Sequence, residues 1–227
     1  AIVPHLQFNK EFFVVLVAFF GTTLSPYLYF WQASQEVEEK TLEQCKPGRI
    51  CRLKPATEKE LEDLKIDTRV GMGFSNIITF FIIVLTASTL FRAGFNEIET
   101  LQDAALALKP LAGEYAYLLF TIGIIGSGFL AIPVLAGSAA YVVTEVFGWS
   151  EGLNKSLTRA KEFYAVIIAS TVVGLLIPLF GFHPIKALFY TSILYGAISP
   201  FLILMVLHMA NNKKIMGSRV NHPFTTI

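Results

Sequence analysis

Polar residues in this chain are gathered between long apolar runs rather than striped along them. Five runs, at approximately 12–34, 74–91, 117–143, 163–180 and 187–209, contain no Asp, Glu, Lys or Arg. A hydrocarbon core of about 30 Å is crossed by about 20 helical residues at about 1.5 Å of rise each. The runs have that length or close to it, and the excess in 117–143 can be absorbed by tilt. Core helices of soluble proteins are shorter and carry one apolar stripe. The pattern therefore predicts an all-α membrane protein with five transmembrane helices, forming one transmembrane domain over residues 1–227. Between the first two runs lies a polar loop, 36–70, in which Thr57-Glu58-Lys59-Glu60 has the spacing of a capping box and predicts a short polar helix through Leu64. The stretch 97–111 is mildly amphipathic and is expected on the membrane surface.

Composition agrees with lipid as the solvent. Of 227 residues, 54% are hydrophobic and 15% charged, against about 25% charged in soluble domains. Disorder and a large water-exposed surface are both excluded. The net charge of +1 gives no basic face for nucleic acid. Its distribution is informative: eight Lys and Arg lie in 36–70, three in 149–162 and three in the tail from Lys213 to Arg219. The opposite side carries only Lys10, Arg92, Lys109 and Lys186. The positive-inside rule then places the N-terminal end outside and the C-terminal end in the cytoplasm of a multi-pass cell-membrane protein.

Two cysteines, Cys45 and Cys51, exclude a disulfide framework and a four-thiolate zinc site. They flank the turn sequence Lys46-Pro47-Gly48-Arg49 and read as reduced loop thiols, a redox or metal clip being the alternative. The four histidines stand at run ends or in loops and read as interfacial. Gly123, Gly126, Ser127 and Gly128 have small-residue spacing suited to close helix packing. No metalloprotease, phosphate-loop or nucleophile-elbow motif is present, so an enzyme reading finds little support in these residues.

The first run differs from the others in its middle, Gly21-Thr22-Thr23-Leu24-Ser25-Pro26-Tyr27. Pro26 removes a backbone donor and clashes with the preceding turn, and Gly21, Thr22, Thr23 and Ser25 are poor helix formers. The helix is expected to break between Gly21 and Pro26. Inside a bilayer such a break is tolerated where it lines a polar cavity, which is how many secondary carriers build their substrate sites. The competing reading is a proline kink healed by hydroxyl side chains. On the last run Ser192, Tyr195 and Ser199 share one face, expected to look into the bundle. Glu36, Glu38 and Glu39 read as a solvated helix end.

The segment GTTLSPYLYFWQASQEVEE, Gly21 to Glu39, resembles the sixth transmembrane helix of the natural resistance-associated macrophage protein (NRAMP) family of divalent-metal transporters, whose pattern is Gly-Ala-Thr-x-Met-Pro-His. Asp67, Gly71 and Ser75-Asn76 are similar to the entry of the seventh helix, and Pro110 to Gly113 with Gly126 to Gly128 to the eighth. Ser199-Pro200-Phe201 and Asn212 to Gly217 are similar to the end of the tenth helix and the loop after it. The resemblance implies helices six to ten, the second inverted repeat of a LeuT-type fold. It also implies a partner, an N-terminal five-helix repeat of the same parent chain.

At the family's metal positions the sequence departs from the pattern. The methionine falls on Ser25, the histidine after proline on Tyr27, and a second histidine on Gln32. The carbonyl-donating alanine falls on Thr22 and a glutamine of the tenth helix on Ser192. Oxygen donors in place of the thioether suit hard ions, Mg²⁺ or Mn²⁺, as the transported cation. The resemblance thus implies a metal half-site of Thr22, Ser25, Tyr27 and Ser192, with Gln32 and Tyr195 along the pathway and no tightly bound cofactor. No carboxylate lies within the five runs, and a dehydrated divalent ion needs an anionic partner. That ligand is expected from the first helix of the N-terminal repeat. The alternative is a LeuT-type carrier of amino acids or sodium-coupled solutes.

Overall fold

The computed structural model describes residues 9–45, 54–94, 98 and 100–221. Most of these residues are helical, and no strand occurs among them. The turn Lys46 to Arg49 and Cys51 lie outside the described residues, as do His5, His222 and Glu97. Cys45 is disulfide-bonded, which corrects the reading of the cysteines as reduced loop thiols.

Helix α1 (Lys10–Thr23) opens on Asn9, whose side chain accepts the Phe12 N–H at 2.8 Å. Its last backbone bond runs from the Leu24 N–H to the Phe20 carbonyl, 2.9 Å. Pro26 has no N–H to continue the ladder, so the chain leaves the helix at Leu24 and Ser25 and restarts with α2 (Pro26–Gln44). Proline suits that restart, because the first turn of a helix needs no donor there. The expected break is present, narrower than the 21–26 window: Gly21, Thr22 and Thr23 remain helical.

The capping box at Thr57 is made in both directions, with Glu60 accepting from the Thr57 N–H at 2.6 Å. The helix it opens does not stop at Leu64, however. It is α3 (Glu58–Thr86), continuous from the polar loop into the second apolar run and ending in a wider π turn, Ala87–Phe91. Gly71 and Gly73 were too few to end a helix flanked by good formers on one side and a long apolar run on the other. Beyond it Thr100 caps α4 (Leu101–Ala105), which is followed by a 3₁₀ turn, α5 (Lys109–Ala112) and a second 3₁₀ turn. Ala105 and Ala107 are buried here, so this connection has a packed side.

Helix α6 (Ala116–Phe147) has 32 residues, a length of about 48 Å at about 1.5 Å per residue. It ends at Gly148, whose left-handed φ of 67° is costly for any residue with a Cβ. Helix α7 (Lys161–Leu176) passes into a 3₁₀ turn, Ile177–Phe180. Helix α8 (Pro184–Ala210) and the short α9 (Lys213–Met216) complete the chain. His183 stands at the start of α8 without a side-chain bond to its first turn, and His208 lies in its last turn. Hydroxyls within these helices, among them Thr79, Thr86, Thr121, Thr171 and Thr191, donate back to a carbonyl one turn earlier. That arrangement lets a helix carry Thr without leaving a donor open in lipid.

Among the described residues five helical segments, Lys10–Gln44, Glu58–Phe91, Leu101–Phe147, Lys161–Phe180 and Pro184–Ala210, are long and apolar enough to cross a membrane. The chain divides into two units: Ala1–Phe30 with Ile177–Ile227, and Trp31–Leu176. The first holds the crossing of α1 with α8, where backbones approach closely. A Cβ on Gly21 would run into the Ser192 carbonyl, and one on Gly196 into the Val17 carbonyl. Glycine at both contacts is what permits the approach. The packing expected at Gly123 and Gly126 is not made among the described residues, since a side chain there would meet nothing within 4 Å.

The second unit has its core where α6 meets α7. Ala140, Tyr141, Ala160 and Phe163 are fully buried, and the Tyr141 and Phe163 rings meet edge to face at 4.8 Å. Trp31 packs on this core and lies across Gly137, where any Cβ would strike its indole ring.

Candidate cation site at the helix break

Helix ends leave backbone groups without partners inside the helix, and side chains around Leu24 and Ser25 take up several of them. The Ser25 hydroxyl donates to the Thr22 carbonyl at 3.1 Å. The hydroxyls of Thr22 and Thr23 both donate to the Phe19 carbonyl, at 2.8 and 3.0 Å. From α8, the buried Ser199 hydroxyl lies 3.2 Å from the Leu24 carbonyl and 2.6 Å from its own Tyr195 carbonyl. The break is therefore an ordered turn, with its α1 side fastened to α8.

Within the first unit the structure brings together five of the six residues singled out from the sequence. Thr22 and Ser25 are joined by their hydrogen bond. Tyr27, in the first turn of α2, faces Tyr195 of α8 with ring centroids 6.1 Å apart and planes inclined by 50°. Ser192 contributes the carbonyl against Gly21, while its hydroxyl donates to the Leu188 carbonyl at 2.8 Å. Each of these hydroxyl oxygens still has a lone pair to offer after donating its proton. Gln32 is placed differently: it belongs to the second unit and lines a groove of about 320 Å³ with Glu36, Glu39, Glu60, Asp63 and Asp67. Lys40 bridges this groove to Glu60 at 3.1 Å.

The donors at the break are neutral oxygens. Among the described residues no group of three or more His, Cys, Asp or Glu is arranged to hold a metal ion. Such a set can orient a hard cation but cannot offset the desolvation of a doubly charged one.

Two features were not legible beforehand. Ser199 was placed on the polar face of the last run, but its bond to Leu24 depends on the glycine crossing that brings α8 to the break. Glu38 is not a solvated helix end, because its carboxylate accepts from the Tyr141 hydroxyl at 2.5 Å and the Leu153 N–H at 3.0 Å. Glu38 and Tyr141 are separated by 103 positions in the chain, and no local pattern pairs them.

Long apolar helices, an interrupted first span and an oxygen-lined break define a multi-pass membrane protein with a discontinuous helix. The chain belongs to the natural resistance-associated macrophage protein-like family, whose model matches residues 1–227. It is 26% identical over 221 residues to a divalent metal cation transporter MntH of Caldanaerobacter subterraneus subsp. tengcongensis, covering 96% of this chain and 47% of that one. With the MntH of Clostridium acetobutylicum it is 24% identical over 227 residues, covering 100% of this chain and 48% of that protein. The chain spans about half the length of these curated relatives.

Proposed function

We propose that this chain supplies one half of the transport site of a secondary carrier for divalent metal cations. The observation that carries the reading is the interruption at Leu24 and Ser25, a helix opened at mid-span and lined by oxygen donors. Thr22, Ser25, Tyr27 and Ser192 form the metal half-site, and Gln32 and Tyr195 line the pathway. Serine and tyrosine oxygens in place of soft donors favour Mg²⁺ or Mn²⁺. The anionic ligand comes from the N-terminal five-helix repeat of the parent, the other half of a LeuT-type fold. The N-terminal end of this chain lies outside and its C-terminal end in the cytoplasm, following the division of basic residues. Membership in a family whose named relatives are metal transporters supports this reading.

The test is uptake by the full-length protein reconstituted in vesicles. Saturable uptake of Mn²⁺, competed by Mg²⁺ and reduced by Ser25→Ala combined with Tyr27→Phe, is expected. Saturation by an amino acid with indifference to divalent ions would overturn the proposal in favour of a solute carrier. Uptake unaffected by the double substitution would remove the break from the site.

A further inference from the structure

We infer that Glu38 is a positioning residue, fastening the far part of the interrupted helix to α6, α7 and the loop between them. The inference rests on the transport reading only for its consequence, not for the contact itself. All of the groups concerned lie in the unit Trp31–Leu176.

The Glu38 carboxylate is held from two elements. Tyr141 of α6 donates its hydroxyl at 2.5 Å. From the loop after α6, the N–H groups of Leu153 and Asn154 point to its two oxygens at 3.0 and 3.4 Å. The loop passes close to the carboxylate: a Cβ on Gly152, at φ 127°, would lie 2.7 Å from both Glu38 Oε1 and Asn154 Oδ1, and those side chains would have to shift. Gln35, one turn earlier on α2, donates to the same Tyr141 oxygen at 3.0 Å. Below them Trp31 lies over Gly137 and meets the Tyr141 ring edge to face at 6.0 Å. The loop itself is tied to α7, because the Tyr164 hydroxyl donates to the Lys155 carbonyl at 2.9 Å.

Trp31, Gln35 and Glu38 recur at spacings of four and three, so they form one face of α2. That face is occupied along its length by α6 and the loop. A carboxylate is suited to the outermost contact, since bonds from a hydroxyl and backbone N–H groups to a charged acceptor are stronger than neutral ones. Glu38 belongs to the unit Trp31–Leu176 and not to the unit that holds the break, so no role as a cation ligand is assigned to it. Its effect is on how α2 is carried: with the clasp closed, the far part of α2 follows α6 and α7 instead of moving alone.

The experiment compares the full-length protein with Glu38→Ala, Tyr141→Phe and the double variant in lipid nanodiscs and in vesicles. Amide exchange at Leu153 and Asn154 reads the clasp directly. We expect it to rise about tenfold or more in Glu38→Ala, less in Tyr141→Phe, and no further in the double variant than in Glu38→Ala. Glu38→Gln, which keeps an acceptor oxygen, should restore most of the protection. In vesicles the maximal Mn²⁺ uptake rate of Glu38→Ala should fall severalfold, with the half-saturating concentration within about twofold of the parent. Unchanged exchange would show that the clasp is not made. Raised exchange with an unchanged maximal rate, or a change confined to the half-saturating concentration, would overturn the positioning role. Absence of divalent-ion uptake in the parent would instead refute the transport reading, and the exchange comparison would still decide the clasp.

Discussion

The hydroxyl of Ser199 on α8 meets the carbonyl of Leu24, at the end of α1, across 3.2 Å. The hydroxyl shares its single proton with its own Tyr195 carbonyl at 2.6 Å, and the Leu24 contact joins the one turn of the first span that has left helical geometry to a helix that continues past it. Ser199 is 4% exposed, so bulk water does not reach its hydroxyl to replace the contact from that side. Ser199→Ala is therefore expected to destabilise the fold by about 1 kcal/mol, the worth of a single neutral hydrogen bond. Ser199→Thr, which keeps the hydroxyl, should lose less. Reversible denaturation of the purified protein in mixed micelles measures both, and equal losses would remove the bond from the account.

The crossing that makes this bond possible depends on two glycines. At Gly21 and Gly196 an added methyl group would meet backbone, which cannot rotate aside as a side chain can. Gly21→Ala and Gly196→Ala are each expected to cost about 1–3 kcal/mol, the range for overpacking. Gly71→Ala is the control: nothing lies within 4 Å of the added atom, and alanine is the better helix former by about 1 kcal/mol. The same denaturation series should separate the three, with Gly71→Ala neutral or stabilising.

What could be read from the sequence here followed physical range. Charge-free runs report a solvent, and Pro26 reports a local geometric veto, so the five spanning helices and the break were both legible. The capping box at Thr57 was legible too, because Thr and Glu three positions apart act within a single turn. Its helix is longer than the sequence suggests, since Gly71 and Gly73 are the only weak helix formers of that kind in 65–73 and are not enough to stop it. Contacts between distant elements were not legible. Glu38 looks like any acid at a helix end until Tyr141 and the loop at Gly152 are brought to it. Gly21 was read as a weakness in a helix, and only the position of α8 makes it a packing surface.

The capping box gives a prediction with a local readout. Thr57 accepts the Glu60 N–H at 3.3 Å, and Glu60 also takes the Lys40 ammonium at 3.1 Å. Thr57→Ala should cost about 1 kcal/mol at this end of α3, without reaching the apolar part of the helix. Amide exchange at Glu60 and Leu61 is then expected to rise about fivefold, as that energy implies. Exchange beyond Phe74 should not change. A uniform increase along α3 would mean that the cap supports the whole helix.

Ion preference follows from the donor at position 25. If the break binds a cation through hydroxyl and carbonyl oxygens, a thioether at that position should change which metals it holds best. Ser25→Met replaces a hard oxygen by a soft, polarizable sulfur at one of the two residues, Leu24 and Ser25, that stand between the half-helices. The larger side chain has room to turn, because Ser25 is only half-buried and its own hydroxyl bond is to the neighbouring Thr22 carbonyl. Cd²⁺ should then compete with Mn²⁺ uptake about tenfold more strongly than in the parent, a change of about 1.4 kcal/mol. Competition by Mg²⁺ should weaken in the same variant, since sulfur is a poor ligand for it. Parallel shifts for Cd²⁺ and Mg²⁺ would show that the substitution altered the shape of the break and that position 25 does not contact the ion.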